Sequence, residues 1–160
     1  MRADSQPRHF EAVVHPTIGV GPVRFGASVD EVIAILGPPE KSWLDQEGDR
    51  LLAYPRAGVA FFAFDPEEDM RLVTCELKPA SDAEIWGLRV FRVPREAVVR
   101  AAAAQNLRLQ QARPDAADDE TLLQIRSEGL DLYYERAQLV ALSAGVVYSS
   151  DDSIEWPAAP

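Results

Sequence analysis

Ser28 sits in Gly26-Ala27-Ser28-Val29-Asp30, a spacing that differs only at its last position from the Gly-x-Ser-x-Gly turn that exposes a catalytic nucleophile. That position holds an aspartate, and a nucleophilic serine also needs a base. Both histidines, His9 and His15, precede Ser28, whereas that turn takes its histidine from further along the chain. A simpler role is open to Ser28: with Glu31 three residues on, it forms a capping box that starts a helix. His9 and His15 are six residues apart and fit no helical pair of metal ligands. Asp65, Glu67, Glu68 and Asp69 crowd four carboxylates together, but Pro66 and the missing turn glycine speak against a calcium loop and for a solvated hairpin tip. Asp115, Asp118, Asp119 and Glu120 read the same way. Glu76 has no partner singled out for paired-carboxylate glycosidase chemistry, and no Gly-Lys-Ser or Gly-Lys-Thr follows Gly19-Val20-Gly21 to cradle a phosphate. Cys75 is the only cysteine, so no internal disulfide forms and no cysteine-rich metal site exists. Within Leu72-Val73-Thr74-Cys75-Glu76-Leu77 it reads as a small buried hydrophobe rather than a reactive thiol. The expectation is a protein with no catalytic residue, no metal and no cofactor, and thus not an enzyme.

The charge balance narrows the partners. Among 160 residues, 26 acidic side chains face 16 basic ones, a net charge of −10. Neutralising phosphates needs clustered Lys and Arg, so nucleic acid is not expected as a partner, and anionic membrane surfaces are disfavoured for the same reason. An acidic protein is steered toward basic partners. The Arg89, Arg92, Arg95, Arg100 series reads as a solvated face paired with Asp82, Glu84 and Glu96. The N-terminal residues carry no apolar leader, and no apolar run reaches membrane-spanning length, so a cytoplasmic location is expected.

These residues are positioned by elements that the chain states twice. Residues 1–11 read as a flexible N-terminal segment. Ala12 to Val20 reads as a lead-in strand broken by Pro16. Val29, Val32, Ile33 and Leu36 then recur as the apolar stripe of a short helix ended by Gly37-Pro38-Pro39. Lys41 to Asp49 reads as a polar loop, and Arg50–Tyr54, Val59–Phe64 and Met70–Leu77 as three strands. In the second half Gly87-Leu88-Arg89-Val90-Phe91 answers Gly21-Pro22-Val23-Arg24-Phe25, and Pro94-Arg95-Glu96-Ala97-Val98-Val99 answers the first helix. Gly129-Leu130-Asp131-Leu132-Tyr133-Tyr134 answers Gly58-Val59-Ala60-Phe61-Phe62-Ala63. Gln105 to Glu120 reads as a long loop. The expected fold class is therefore α+β: two tandem strand–helix–three-strand repeats, 12–79 and 84–148, forming a largely antiparallel sheet with the helices packed on one face. Residues 149–160 form an acidic C-terminal tail, with Ile154 and Trp156 tacked onto the body.

The run Gly26-Ala27-Ser28-(x)3-Val32-(x)3-Leu36-Gly37-x-Pro39 is similar to the repeat in the small lipoprotein of the outer-membrane barrel-assembly machinery. A tandem pair of such units resembles the β-lactamase inhibitor protein architecture. Gly26, Ser28, Val32, Leu36, Gly37 and Pro39 carry the match, and the second half has Gln105-Asn106 where the first has its Gly-Pro stop. The resemblance implies a non-catalytic protein-binding module with no functional residue to carry over, because these are capping and packing positions.

One residue of each aromatic pair in the central strands must point away from the helices. Tyr54, Phe62 and Tyr133, joined by Trp43 and Trp86 from loops, are the expected partner-binding residues on an open sheet face, since Tyr, Trp and Arg dominate interface energy. The expected function is a non-catalytic interaction protein of immunity-like or inhibitory type, capping a basic partner through this acidic and aromatic face. The alternative is a ligand-binding domain or small enzyme with a pocket between the repeats lined by Trp86, Tyr134 and arginines. A homodimer joined through the open face is a third arrangement.

Overall fold

Ser28 and Glu31 make the reciprocal cap that their spacing predicts. In the computed structural model, which describes residues 8–112 and 120–158, the Ser28 hydroxyl accepts the Glu31 amide at 3.2 Å and the Glu31 carboxylate accepts the Ser28 amide at 2.8 Å. Helix α1 (Val29–Leu36) begins there and stops at Gly37, whose φ of 86° suits a residue with no side chain. Helix α2 (Arg95–Ala104) starts after Pro94 with no side-chain cap. Val32 and Leu36 of α1 and Val98 and Ala102 of α2 are buried.

The rest is mostly strand. Strands β1 (Val14–His15), β2 (Gly19–Val20) and β3 (Val23–Arg24) form a small antiparallel sheet. After α1 come β4 (Lys41–Leu44), β5 (Arg50–Tyr54), β6 (Val59–Asp65) and β7 (Arg71–Leu77). The two-residue strands β8 (Glu84–Ile85) and β9 (Leu88–Arg89) pair with each other and precede α2. Then follow β10 (Gln110–Ala112), β11 (Glu120–Ile125), β12 (Leu130–Glu135) and β13 (Gln138–Gly145). Eight strands make one sheet in the order β10-β11-β12-β13-β7-β6-β5-β4, and every neighbouring pair is antiparallel.

This overturns the expected α+β plan of strand–helix–three-strand units with the helices as the layer on one face. Among the described residues there are thirteen strands and only two short α-helices, and the eight-stranded antiparallel sheet dominates. Two of its strands come from segments whose polar residues read as loop, Lys41–Leu44 and Gln110–Ala112. They are the two edges of the sheet. An edge strand has one neighbour and need not bury alternate side chains, and all four residues of β4 are exposed. The expected lead-in strand is instead divided into two-residue pieces in a separate sheet, because Pro16 interrupts it after His15 and Gly21-Pro22 turn the chain after Val20. The acidic stretch Asp115, Asp118 and Asp119, residues 113–119 of the expected 105–120 loop and residues 1–7 lie outside the described residues.

Cross-strand register places the core. Leu52, Phe62, Cys75, Ala144, Leu130 and Ile125 lie opposite one another in a row across six strands. A second row runs Tyr54, Val59, Leu77, Leu142, Leu132, Leu123. All twelve side chains are buried. They share one apolar cluster with Val14, Val20, Val23 and Phe25 and with Ile85, Val90 and Phe91. Burial on this scale, at roughly 25 cal/mol per Å² of apolar surface, is the dominant stabilising term. Beyond β13 the chain returns: Tyr148 bridges to Ile154, and the Trp156 ring lies under the Arg71 guanidinium, 5.4 Å from its centre.

Candidate functional site

The sheet face opposite the core follows from the same register. One row runs Trp43, Leu51, Ala63, Thr74, Gly145. The next runs Phe61, Glu76, Ser143, Asp131, Gln124, Gln110. A third joins Leu122, Tyr133 and Ala141. Leu51, Phe61, Thr74, Glu76, Ser143, Asp131, Gln124, Leu122 and Tyr133 are half-buried, and Trp43 is 38% exposed. The face therefore has two apolar patches, Trp43–Leu51–Phe61 near one edge and Leu122–Tyr133–Val140 toward the other. A polar stripe separates them, in which the Gln124 amide donates to Asp131 at 2.9 Å and the Thr74 hydroxyl donates to the Ala144 carbonyl at 3.1 Å. A depression of about 220 Å³ opens between Leu122, Tyr133 and Val140.

Of the five expected partner-binding residues, Trp43 and Tyr133 lie on this face. Tyr54 and Phe62 do not: both belong to the core, 1% and 0% exposed, and their rings meet edge to face with centroids 5.9 Å apart. Leu51 and Phe61 stand on the open face instead. Trp86 is half-buried in the β8–β9 turn and packs against the core cluster. With φ of 54° at Trp86 and 76° at Gly87, both turn residues are left-handed, as a two-residue hairpin of type I′ requires.

Charge gathers at one end of the face. The β4–β5 turn carries Asp45, Glu47 and Asp49, and the last residue of β6 with the turn after it carries Asp65, Glu67, Glu68 and Asp69. Burial raises the Asp49 carboxyl above its ordinary range, and the charges of Asp45, Asp65, Glu47 and Glu67 raise it further. The hydroxyl of Tyr148, an exposed residue, is raised by partial burial and by Asp65, Glu68, Asp49 and Glu67. Carboxylate oxygens of Asp45, Glu47 and Asp49 lie within 4.8 Å of one another, close enough to share a hard cation. Asp45 Oδ1 is already occupied by the amides of Glu47 and Asp49, each at 2.9 Å. The sequence reading singled out the second turn and missed the first, whose Asp-x-Glu-Gly-Asp spacing was the available signal.

The reactive residue types are placed elsewhere. Ser28 caps α1. Cys75 is fully buried, and desolvation pushes its thiol up to about 12, which keeps it protonated. His15 is exposed on β1, whereas His9 borders a cavity of about 360 Å³ between residues 8–13, the turn at Arg56 and the segment around Asp82. Arg8, Arg56 and Arg89 line it, with neither Trp86 nor Tyr134. Asp82 holds two of the arginines of the expected series, Arg89 at 2.5 Å and Arg92 at 2.6 Å.

Comparison with protein families, with characterised proteins and with solved structures finds no match to this chain. The resemblance at α1 thus rests on Gly26, Ser28, Val32, Leu36, Gly37 and Pro39 alone. No helix among the described residues is long and apolar enough to cross a membrane.

Proposed function

We propose that this protein is a non-catalytic interaction module that docks a basic protein partner on the sheet face opposite its core. The observation that carries the reading is the pair of apolar patches, Trp43–Leu51–Phe61 and Leu122–Tyr133–Val140, set on a face crossed by Glu76 and Asp131 and ending in the seven turn carboxylates. Apolar anchors supply affinity, of the order of 2 kcal/mol for a good one. The surrounding charge supplies orientation and rate of encounter. Phe61→Ala with Tyr133→Ala tests it. The wild-type chain retains a basic partner at low salt and less of it at moderate salt, as screening predicts, and the double variant loses it while keeping its melting transition. Failure to retain a basic protein, or retention indifferent to both substitutions, overturns the reading.

The second reading, a small-ligand site, is favoured by the cavity at Arg8, Arg56 and Arg89, whose volume lies at the small end of ligand clefts. It ranks below the first because Glu11, Asp82 and Glu84 line the same cavity and balance the arginines. A rise in melting temperature with small carboxylates or phosphate, lost in Arg56→Ala, would reverse the ranking.

A further inference from the structure

We propose that two copies of this chain join edge to edge through β4, antiparallel and centred on Trp43. Among the described residues β4 pairs only with β5. All four of its residues are exposed, including Trp43 at 38% and Leu44 at 55%. Such an edge is a template for another strand unless a proline, a bulge or a run of charge blocks it. Residues 41–44 contain no proline and a single charge, Lys41 at one end, and the pairing runs in register from Lys41–Ala53 to Leu44–Arg50.

The main chain states which groups are on offer. The Asp45 amide donates to the Asp49 carbonyl at 3.0 Å, which sets the phase from Lys41 onward; the Glu40 amide also donates to the Ala53 carbonyl at 3.0 Å, so the alternation breaks just before the strand begins. Hydrogen-bonding residues alternate along an antiparallel strand, so Lys41 and Trp43 turn their N–H and C=O toward Ala53 and Leu51, their register partners. Ser42 and Leu44 turn theirs to the free edge. A second copy related by a two-fold axis must set outward residues against outward residues. With Trp43 on the axis, Ser42 of each copy faces Leu44 of the other, and the two pairs exchange four main-chain hydrogen bonds. The same register places Lys41 opposite Asp45 of the second copy at both ends and Trp43 opposite Trp43. Cross-strand aromatic and opposite-charge pairs both favour this arrangement. The Asp45 carboxylate is preordered for Lys41 by the two amides that hold it. Centring on Leu44 instead would push Ser42 against Gln46 in the turn and lose the regular pairing.

This interface shares Trp43 and Asp45 with the docking face but responds oppositely to salt, and Phe61→Ala with Tyr133→Ala, which lie outside β4 and its turn, separates the two. Each copy carries a net charge of −10, so moderate salt relieves repulsion and strengthens the dimer, while it weakens a charge-steered partner. Sedimentation equilibrium over a range of concentrations reads the assembly. A monomer–dimer equilibrium is expected, and Ser42→Pro should weaken it about tenfold or more. The Ser42 N–H points outward, so proline there breaks no main-chain bond to β5 and loses only the hydroxyl that accepts from the Arg50 guanidinium at 3.3 Å. Cysteine cross-linking is the second measurement, and buried Cys75 does not interfere. Residues facing across a two-fold axis at a non-hydrogen-bonded pair have Cβ atoms roughly 4.5–5.5 Å apart, close to disulfide reach. Trp43→Cys should therefore oxidise to a covalent dimer much faster than Ser42→Cys, whose counterpart faces Leu44. A monomer at every concentration, a dimer that Ser42→Pro leaves intact, or equal cross-linking of the two cysteine variants would overturn the proposal.

Discussion

The hydroxyl of Tyr54 donates to the main-chain carbonyl of Gly37 at 2.9 Å, tying strand β5 to the residue that ends α1. The bond satisfies a buried hydroxyl and a carbonyl at a helix end, where acceptors lack intrahelical partners. Tyr134 is the contrast: its hydroxyl is buried with no hydrogen-bond partner among the described residues. A net hydrogen bond contributes about 1 kcal/mol, and an unsatisfied buried group costs about as much. Tyr54→Phe should therefore destabilise by about 1 kcal/mol, and Tyr134→Phe should be neutral or stabilising by up to about 1 kcal/mol. Urea unfolding of the two variants, read as opposite movements of the midpoint, checks this.

Both hydroxyls also report in alkali. Burial raises Tyr54 and Tyr134 from 10.0 to about 12 and Cys75 from 9.0 to about 12. Between these limits the unfolded chain releases protons that the folded chain keeps, so stability falls with rising pH. The full contribution is present below pH 9 and is lost progressively toward pH 12. Unfolding free energies measured across this range should decline, and Tyr134→Phe should make the decline shallower by removing one titrating group.

Which parts of this architecture can be read from the chain depends on the range of the interaction. The Ser28–Glu31 box is a three-residue relationship, and it forms as its spacing requires. The strands at Arg50–Tyr54 and Val59–Asp65 are legible from composition, but their facing is not. In Val59-Ala60-Phe61-Phe62, uninterrupted alternation from Val59 would send Phe61 inward and Phe62 outward. A register shift between Val59 and Phe61 exchanges them, so Phe62 enters the core and Phe61 joins the open face. Bulges re-aim side chains in this way with no local signature. Tyr54 enters the core for a different reason: its hydroxyl is satisfied by a carbonyl seventeen residues back, a pairing that only the folded chain creates. The edge strands are not legible because a strand with one neighbour needs no alternating apolar face, so Lys41–Leu44 and Gln110–Ala112 keep polar residues that also make loops.

Gly26 joins the N-terminal half to the C-terminal segment. Its φ is 93°, and a methyl group added there would sit 3.1 Å from Cε3 of Trp156. Gly26→Ala meets both the left-handed backbone penalty of about 1–2 kcal/mol and displacement of the ring. The variant should lose about that much stability, and Trp156→Ala should remove the steric part, so the two substitutions together cost less than their sum. A double-mutant cycle on chemical unfolding measures the coupling.

The carboxylates at the β4–β5 and β6–β7 turns test whether charge has been placed at a cost to the fold. Burial and the neighbouring charges of Asp45, Asp65, Glu47 and Glu67 raise the folded Asp49 above its ordinary 3.8. A raised carboxyl favours the folded state while it is protonated, so its contribution is present below pH 3.8 and is lost as pH rises through the folded value. At neutral pH the ionised Asp49 therefore strains the turn, and Asp49→Asn should stabilise the protein at pH 7 yet leave it unchanged near pH 3. Added salt should shrink the gain at pH 7 by screening the four neighbouring carboxylates. The same substitution should weaken capture of a basic partner at low salt, because it removes charge from the end of the docking face. A variant that gains stability and loses capture would tie the cost at Asp49 to binding. Equal stability of Asp49→Asn and the wild-type chain at both pH values would show that the turn carries no such strain.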